Sequence, residues 1–152
     1  MGVHANVSAV IKAAPEVVWP WVADLDRHGE WSPKPYRVEK VTGEWNAVGS
    51  TYRSVGFVPP KEPEHGNLVT ITDVQPVTRF ALDATDENGV FHNVYTLRPT
   101  DAGTEVTFDI TFPDIKGMAG VMLPILFPLV GKPSLKKRMD MLKAKVEASP
   151  AS

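Results

Sequence analysis

Residues 116–132 read KGMAGVMLPILFPLVGK, the most apolar stretch of the chain, with no charge between the two flanking lysines. Its reading decides the architecture, because it either crosses a membrane or closes an apolar surface inside a folded domain. A spanning helix needs about 20 apolar residues, and only 15 lie between Lys116 and Lys132. Pro124 and Pro128 each remove a backbone donor and clash with the preceding turn, so a straight continuous helix is not expected either. The stretch is expected to cover something apolar, and the rest of the sequence says what.

Towards the N-terminus lie four runs with the period of half-buried strands, residues 67–76, 78–89, 90–103 and 104–112, separated by short turn signals. Asn88-Gly89 is the strongest hairpin signal, since both residues tolerate positive φ. Residues 36–58 read as two further strands, punctuated by Thr42-Gly43 and Gly49, and the Pro-rich residues 58–66 as a loop. The opening alternates Val3, Ala5, Val7, Ala9 and Ile11 with polar residues, giving a first strand. AAPEVVWPWVADLD (13–26) reads as a short helix with Pro15 in its permitted first turn and Pro20 shortening or kinking it. Beyond residue 132, Ser134 is a helix cap, and Leu135, Met139, Leu142 and Val146 recur on one helical stripe.

The fold class is therefore α+β: seven antiparallel strands whose apolar face must be covered by the segment from Lys116 onward. One domain over residues 1–148 with a frayed tail at 149–152 fits the length of 152. Sixteen basic against eighteen acidic residues leave a net charge of −2, which does not suggest a nucleic-acid partner. The absence of cysteine excludes disulfides, thiolate metal sites and cysteine nucleophiles. With no basic and apolar leader at the start, the cytoplasm is the expected location.

The pieces in order resemble the START-like, or SRPBCC, superfamily, which includes polyketide cyclase/dehydrase-like proteins and the birch-pollen-allergen type. AAPEVVWPWVADL is similar to its Pro-acidic-x-x-Trp first helix and RHGEWSP (27–33) to its Trp-Ser-Pro loop. AVGSTY (47–52) resembles the Val-Gly opening of the third strand, and ITDVQPVTRFAL (71–82) the strand-Pro-Arg-Phe hairpin. YTLRPTDAGTEVTF (95–108) and LKKRMDMLKAKVEA (135–148) resemble the segment ending in Gly-Thr-x-Val and the final Leu-Lys-rich helix. The resemblance implies a helix-grip fold, a curved sheet around a long C-terminal helix with a cavity for a hydrophobic molecule. It does not choose between carriers, aromatase/cyclase enzymes and regulators.

Pleat alternation sorts the wall residues. Phe108 points inward with Val106, Ile110 and Phe112, and Asn93 and Tyr95 share the apolar face of their strand. Ile71, Phe80 and Leu82 are plain walls. Tyr52 and Arg53 face opposite ways; the family pattern favours an inward Tyr52, whereas an inward Arg53 would mean an acidic ligand. Trp31 lies either at the cavity mouth or against the short helix. Met118, Met122 and Phe127, with their apolar neighbours, read as a gate, a kinked core helix or a membrane-docking face flanked by Lys116, Lys132, Lys136, Lys137 and Arg138.

Three functions are open: a carrier or sensor of a lipid, polyketide or similar molecule; a cyclase/dehydrase-type enzyme in which Tyr95 or Asn93 moves a proton or polarises a carbonyl; and an interaction or peripheral membrane module, monomeric or dimeric. No cofactor is implied. Asp24, Asp26, His28 and Glu30 read as a solvated turn, Asp83, Asp86 and Glu87 as a solvated hairpin end, and Glu62, Glu64 and His65 lack metal-site spacing.

Overall fold

The computed structural model describes residues 4–32, 37–55, 68–86, 89–114, 117–126 and 132–149. Period-two alternation gives seven strands: β1 (His4–Ile11), β2 (Arg37–Thr42), β3 (Thr51–Val55), β4 (Leu68–Gln75), β5 (Arg79–Asp86), β6 (Gly89–Thr100) and β7 (Gly103–Thr111). They form one antiparallel sheet, as the patterning predicts, and its order is β1-β7-β6-β5-β4-β3-β2. Helices α1 (Pro15–Val22) and α2 (Leu25–His28) and a 3-10 turn (Gly29–Trp31) join the two edge strands. Helices α3 (Gly117–Leu126) and α4 (Lys132–Ala148) follow the last strand.

Local chemistry sets the boundaries. Pro15 starts α1 where its missing N–H has no intrahelical partner, and Pro20 lies inside the same short helix. Asp24 caps α2, its carboxylate accepting from the Asp26 N–H at 3.1 Å. Helix α4 starts at Lys132, two residues before the expected cap Ser134, and Pro133 is accommodated in its first turn. The β5–β6 hairpin closes at the pair Asp86↔Gly89. Gly89 is therefore paired and has its positive φ of 130° as the first residue of β6, while Asn88 of the expected Asn88-Gly89 turn lies outside the described residues. The expected loop at 58–66 lies outside the described residues.

One apolar core joins the sheet to the helices. Met139, Leu142 and Val146 of α4 are buried, with Leu135 partly buried beside them, in one cluster with Val7, Ile11, Val18, Val22, Leu25 and Val106. Burying such a side chain contributes about 1.5–3 kcal/mol, so this stripe is what fastens α4. Its polar side clamps the edge strand β1: Lys136 Nζ donates to Ser8 O at 3.2 Å and Lys143 Nζ to Val10 O at 2.8 Å. Glu147 accepts from the Lys12 N–H at 2.9 Å and from Lys143 Nζ at 2.6 Å. These two contacts, the backbone one first, hold its carboxyl below the usual carboxylate range. Lysines on edge carbonyls also blunt an edge that another strand could extend.

The β7 end of this clamp depends on Gly103. Its φ is 136°, and a Cβ there would collide with Ile11 O. Gly49 also has a positive φ, 89°, but open space around it. Gly103→Ala is expected to cost about 3 kcal/mol or more and Gly49→Ala about 1–2 kcal/mol, from backbone strain alone. Urea denaturation of the two variants measures the difference, and equal losses would contradict the close approach.

Candidate functional site

Strand register stacks the inward residues into rows. One row runs Val74, Phe80, Tyr95, Phe108 and Val7 across five strands, each pair directly opposed. The next runs Ile71, Leu82, Asn93, Ile110 and Ala5. A bulge between Ile71 and Asp73 inserts one residue into β4, so Ile71 and Val74 reach the same face although three apart. Phe80, Leu82, Tyr95, Phe108 and Ile71 are all buried. The Tyr95 and Phe108 rings stack at 4.5 Å and 9°.

Above the first row the α1–α2 segment delivers a polar and aromatic cluster. Val18, Val22, Leu25 and His28 are buried at successive spacings of four, three and three, a single inward stripe. His28, expected on a solvated turn, is thus 1% exposed, because that stripe carries it into the core. Its ring lies 4.6 Å from Trp31, 5.5 Å from Tyr95 and 6.0 Å from Phe80. Trp31 is also fully buried. It donates from Nε1 to Trp21 O at 3.3 Å and meets Tyr95 edge-on at 5.7 Å, so it packs the short helix and faces the sheet at once.

Arg138 of α4 completes the cluster. Its guanidinium carbon lies 4.4 Å from the centre of the Trp31 ring, a cation–π contact. Nη2 is 3.2 Å from the Tyr95 hydroxyl and 3.5 Å from His28 Nδ1. His28 Nε2 lies 2.6 Å from Val22 O, which can only accept, so Nε2 carries the proton and Nδ1 presents a lone pair towards Arg138. Burial above all, then the neighbouring Arg138 charge, lowers the His28 pKa from 6.5 to about 3, against the opposing pull of the Val22 carbonyl. The imidazole is neutral at physiological pH, and Arg138 carries the positive charge of this arrangement.

The remaining expected residues are distributed as follows. Tyr52 is the inward residue and Arg53 the exposed one. The Tyr52 hydroxyl serves the β2–β3 loop: it accepts from the Asn46 N–H at 2.5 Å and donates to Glu44 O at 3.2 Å. Asn46, at a positive φ of 62°, also accepts from the Leu25 N–H at 3.1 Å, tying that loop to α2. Asn93 is half-buried and donates from its amide to Phe91 O at 2.9 Å, a local bond. On α3, Met118, Val121 and Ile125 are 74%, 64% and 58% exposed, so this stripe is solvent-facing and not a core helix face. Met122 is half-buried, and Phe127 lies outside the described residues. Asp83, at the expected solvated hairpin end, pairs with exposed His92 at 2.7 Å on the outer face.

His28 and Arg138 are the residues that sequence reasoning did not place in the site. The signal for Arg138 was its position three residues after Leu135 and four before Leu142, on the flank of the buried stripe. For His28 it was the three-residue step from Leu25.

The buried imidazole has a consequence for stability. Its folded pKa is depressed, so the unfolded chain binds the proton more readily, and the residue's contribution is intact above pH 6.5 and lost as pH falls towards 3. Between pH 6 and 4 the wild type is expected to lose about 1.4 kcal/mol per pH unit more than His28→Gln. Chemical denaturation across that range measures it; parallel pH profiles would show that His28 is not buried neutral.

No curated protein matches the sequence significantly. Among solved structures, Ara h 8.0201 is similar with a TM-score of 0.72 at 15% identity, over 98% of this chain and 100% of that one. A Rhodobacter sphaeroides protein gives a TM-score of 0.72 at 15% identity, over 97% and 93% of the two chains. A Thermus thermophilus protein gives 0.71 at 18%, over 99% and 100%. At identities this low, the structural likeness shows the shared helix-grip fold alone. The sequence itself matches the family described as polyketide cyclase / dehydrase and lipid transport over residues 2–147, and the chain belongs to that family.

Proposed function

We propose that this protein binds a small hydrophobic molecule between the inner face of the sheet and α4. The observation that carries the reading is the inward face itself: two adjacent cross-strand rows, apolar or aromatic at nearly every position, with a phenol, an amide and one guanidinium as their polar company. Binding sites for small molecules combine such apolar walls with a few placed polar groups. Membership of a family whose description includes lipid transport supports the same reading. Ile71, Phe80, Leu82 and Phe108 serve as walls, and Tyr95 and Trp31 as the aromatic end beneath Arg138. Met122 lies on the half-buried side of α3. Tyr52 contributes through its ring, since its hydroxyl is occupied by the loop.

Among the described residues no helix is long and apolar enough to cross a membrane.

Titration with Nile red, a neutral apolar dye, tests the proposal. The expected result is saturable binding with a blue-shifted emission, weakened at least tenfold, about 1.4 kcal/mol, in Leu82→Trp, which thickens the wall. Absence of saturable binding, or a Leu82→Trp variant that folds and binds the dye as well as wild type, would overturn it.

A further inference from the structure

Helix α3, GMAGVMLPIL over Gly117–Leu126, contains no polar side chain, and a helix apolar all round is ordinarily buried. Met118, Val121 and Ile125 are nevertheless exposed, at spacings of three and four that put them on one stripe. Met118 and Val121 are the most exposed large apolar residues among those described. The charge around the stripe is equally one-sided. Residues 115–139 hold five basic residues, Lys116, Lys132, Lys136, Lys137 and Arg138, and no acidic one, in a chain of net charge −2. Lys132, Lys136 and Lys137 are exposed at the start of α4. Only five residues separate the end of α3 from Lys132, a reach of at most about 22 Å.

The inner face of the sheet opens towards the same end. Phe80, Tyr95 and Phe108 are buried; in the next row Leu82 is still buried but Asn93 and Ile110 are half-buried. Beyond them Ala84, Phe91 and Phe112 are half-buried too, and the Phe91 and Phe112 rings meet edge-on at 5.3 Å. Gly117, where α3 starts, follows Phe112 within a reach of about 18 Å. We propose that α3 docks on an anionic lipid surface, with Met118, Val121 and Ile125 entering the headgroup boundary and Lys132 and Lys137 meeting the lipid phosphates. Apolar side chains towards hydrocarbon and lysines towards anionic headgroups are the pairing by which interfacial helices bind. A second copy of this chain fits less well, because pairing like patches would set basic residues against basic residues. Three side chains also offer on the order of a few hundred Å², against about 800 Å² per partner in a stable interface. Resting on the apolar-ligand reading above, docking puts the open end of the inner face at the lipid, so that an apolar guest passes between the two without crossing water.

The test is sedimentation of the full chain with sucrose-loaded vesicles, of phosphatidylglycerol mixed with phosphatidylcholine or of phosphatidylcholine alone, at low and at high salt. The wild type is expected to bind the anionic vesicles at least about tenfold more tightly than the neutral ones, and to lose that preference in high salt. A variant combining Met118→Ser, Val121→Ser and Ile125→Ser is expected to stay in the supernatant with both. Lys132→Gln combined with Lys137→Gln is expected to bind the anionic vesicles at least about fivefold more weakly. Both variants change exposed side chains, and unaltered thermal unfolding without vesicles identifies them as folded. A wild type that sediments with neither vesicle would overturn docking, while saturable Nile red binding would leave the apolar site standing. Equal binding to neutral and anionic vesicles would overturn the anionic surface. Dimers of the wild type in sedimentation velocity that the serine variant abolishes, without vesicle binding, would overturn the lipid assignment in favour of a second copy. Vesicle binding without Nile red uptake would support docking and overturn the ligand reading.

Discussion

Covering the inner face of the sheet is the constraint on which the rest depends. A curved antiparallel sheet with one apolar face must meet an element of matching apolarity, and the Leu135, Met139, Leu142 and Val146 stripe of α4 supplies it. Once α4 is fixed there, the lysines on its flank reach the free edge of β1, and Glu147 closes the clamp on Lys12. Arg138, on the flank of the same stripe, is carried to Trp31, Tyr95 and His28. The helix that completes the core also delivers the charge to the site.

The second support comes from the chain between the two edge strands. Val18, Val22, Leu25 and His28 turn one face of α1 and α2 inward, and the 3-10 turn adds Trp31. Thr104 Oγ1 donates to Ala13 O at 2.7 Å, and Asn46 binds the Leu25 N–H, so the segment is tied to β7 at one end and to the β2–β3 loop at the other. Its rings can therefore hold Arg138 in place. Tyr95, Phe108, Phe80, His28 and Trp31 form one aromatic group, with edge and stacked contacts of the kind that favour a defined arrangement over a fluid one.

The fold is largely legible in the sequence because it follows from period and turn chemistry. Strands β4 to β7 alternate cleanly, and the α4 stripe is regular, so the antiparallel sheet and its inner face follow from patterning alone. The hairpin expected around Asn88-Gly89 joins β5 to β6, and Gly89 serves as the first paired residue of β6, because a glycine of positive φ suits the start of a strand as well as a turn. The exposed stripe of α3 departs from a core helix face because apolarity alone does not tell which way a short, Pro-containing helix turns. Wall residues such as Phe80 and Phe108 follow from alternation. His28 and Arg138 do not, since charged and titratable residues beside helix ends are ordinarily solvated, and only tertiary packing brings positions 28 and 138 within 3.5 Å.

In the function proposed above, the inner face of the sheet and α4 take up an apolar guest. Native mass spectrometry of protein purified without denaturant or detergent, followed by solvent extraction and analysis of whatever it releases, addresses this most directly. A stoichiometric adduct that is extracted as an apolar molecule, and that is diminished in Leu82→Trp, is the result predicted. A bare chain that also takes up no apolar compound when exposed to a lipid extract would contradict the claim.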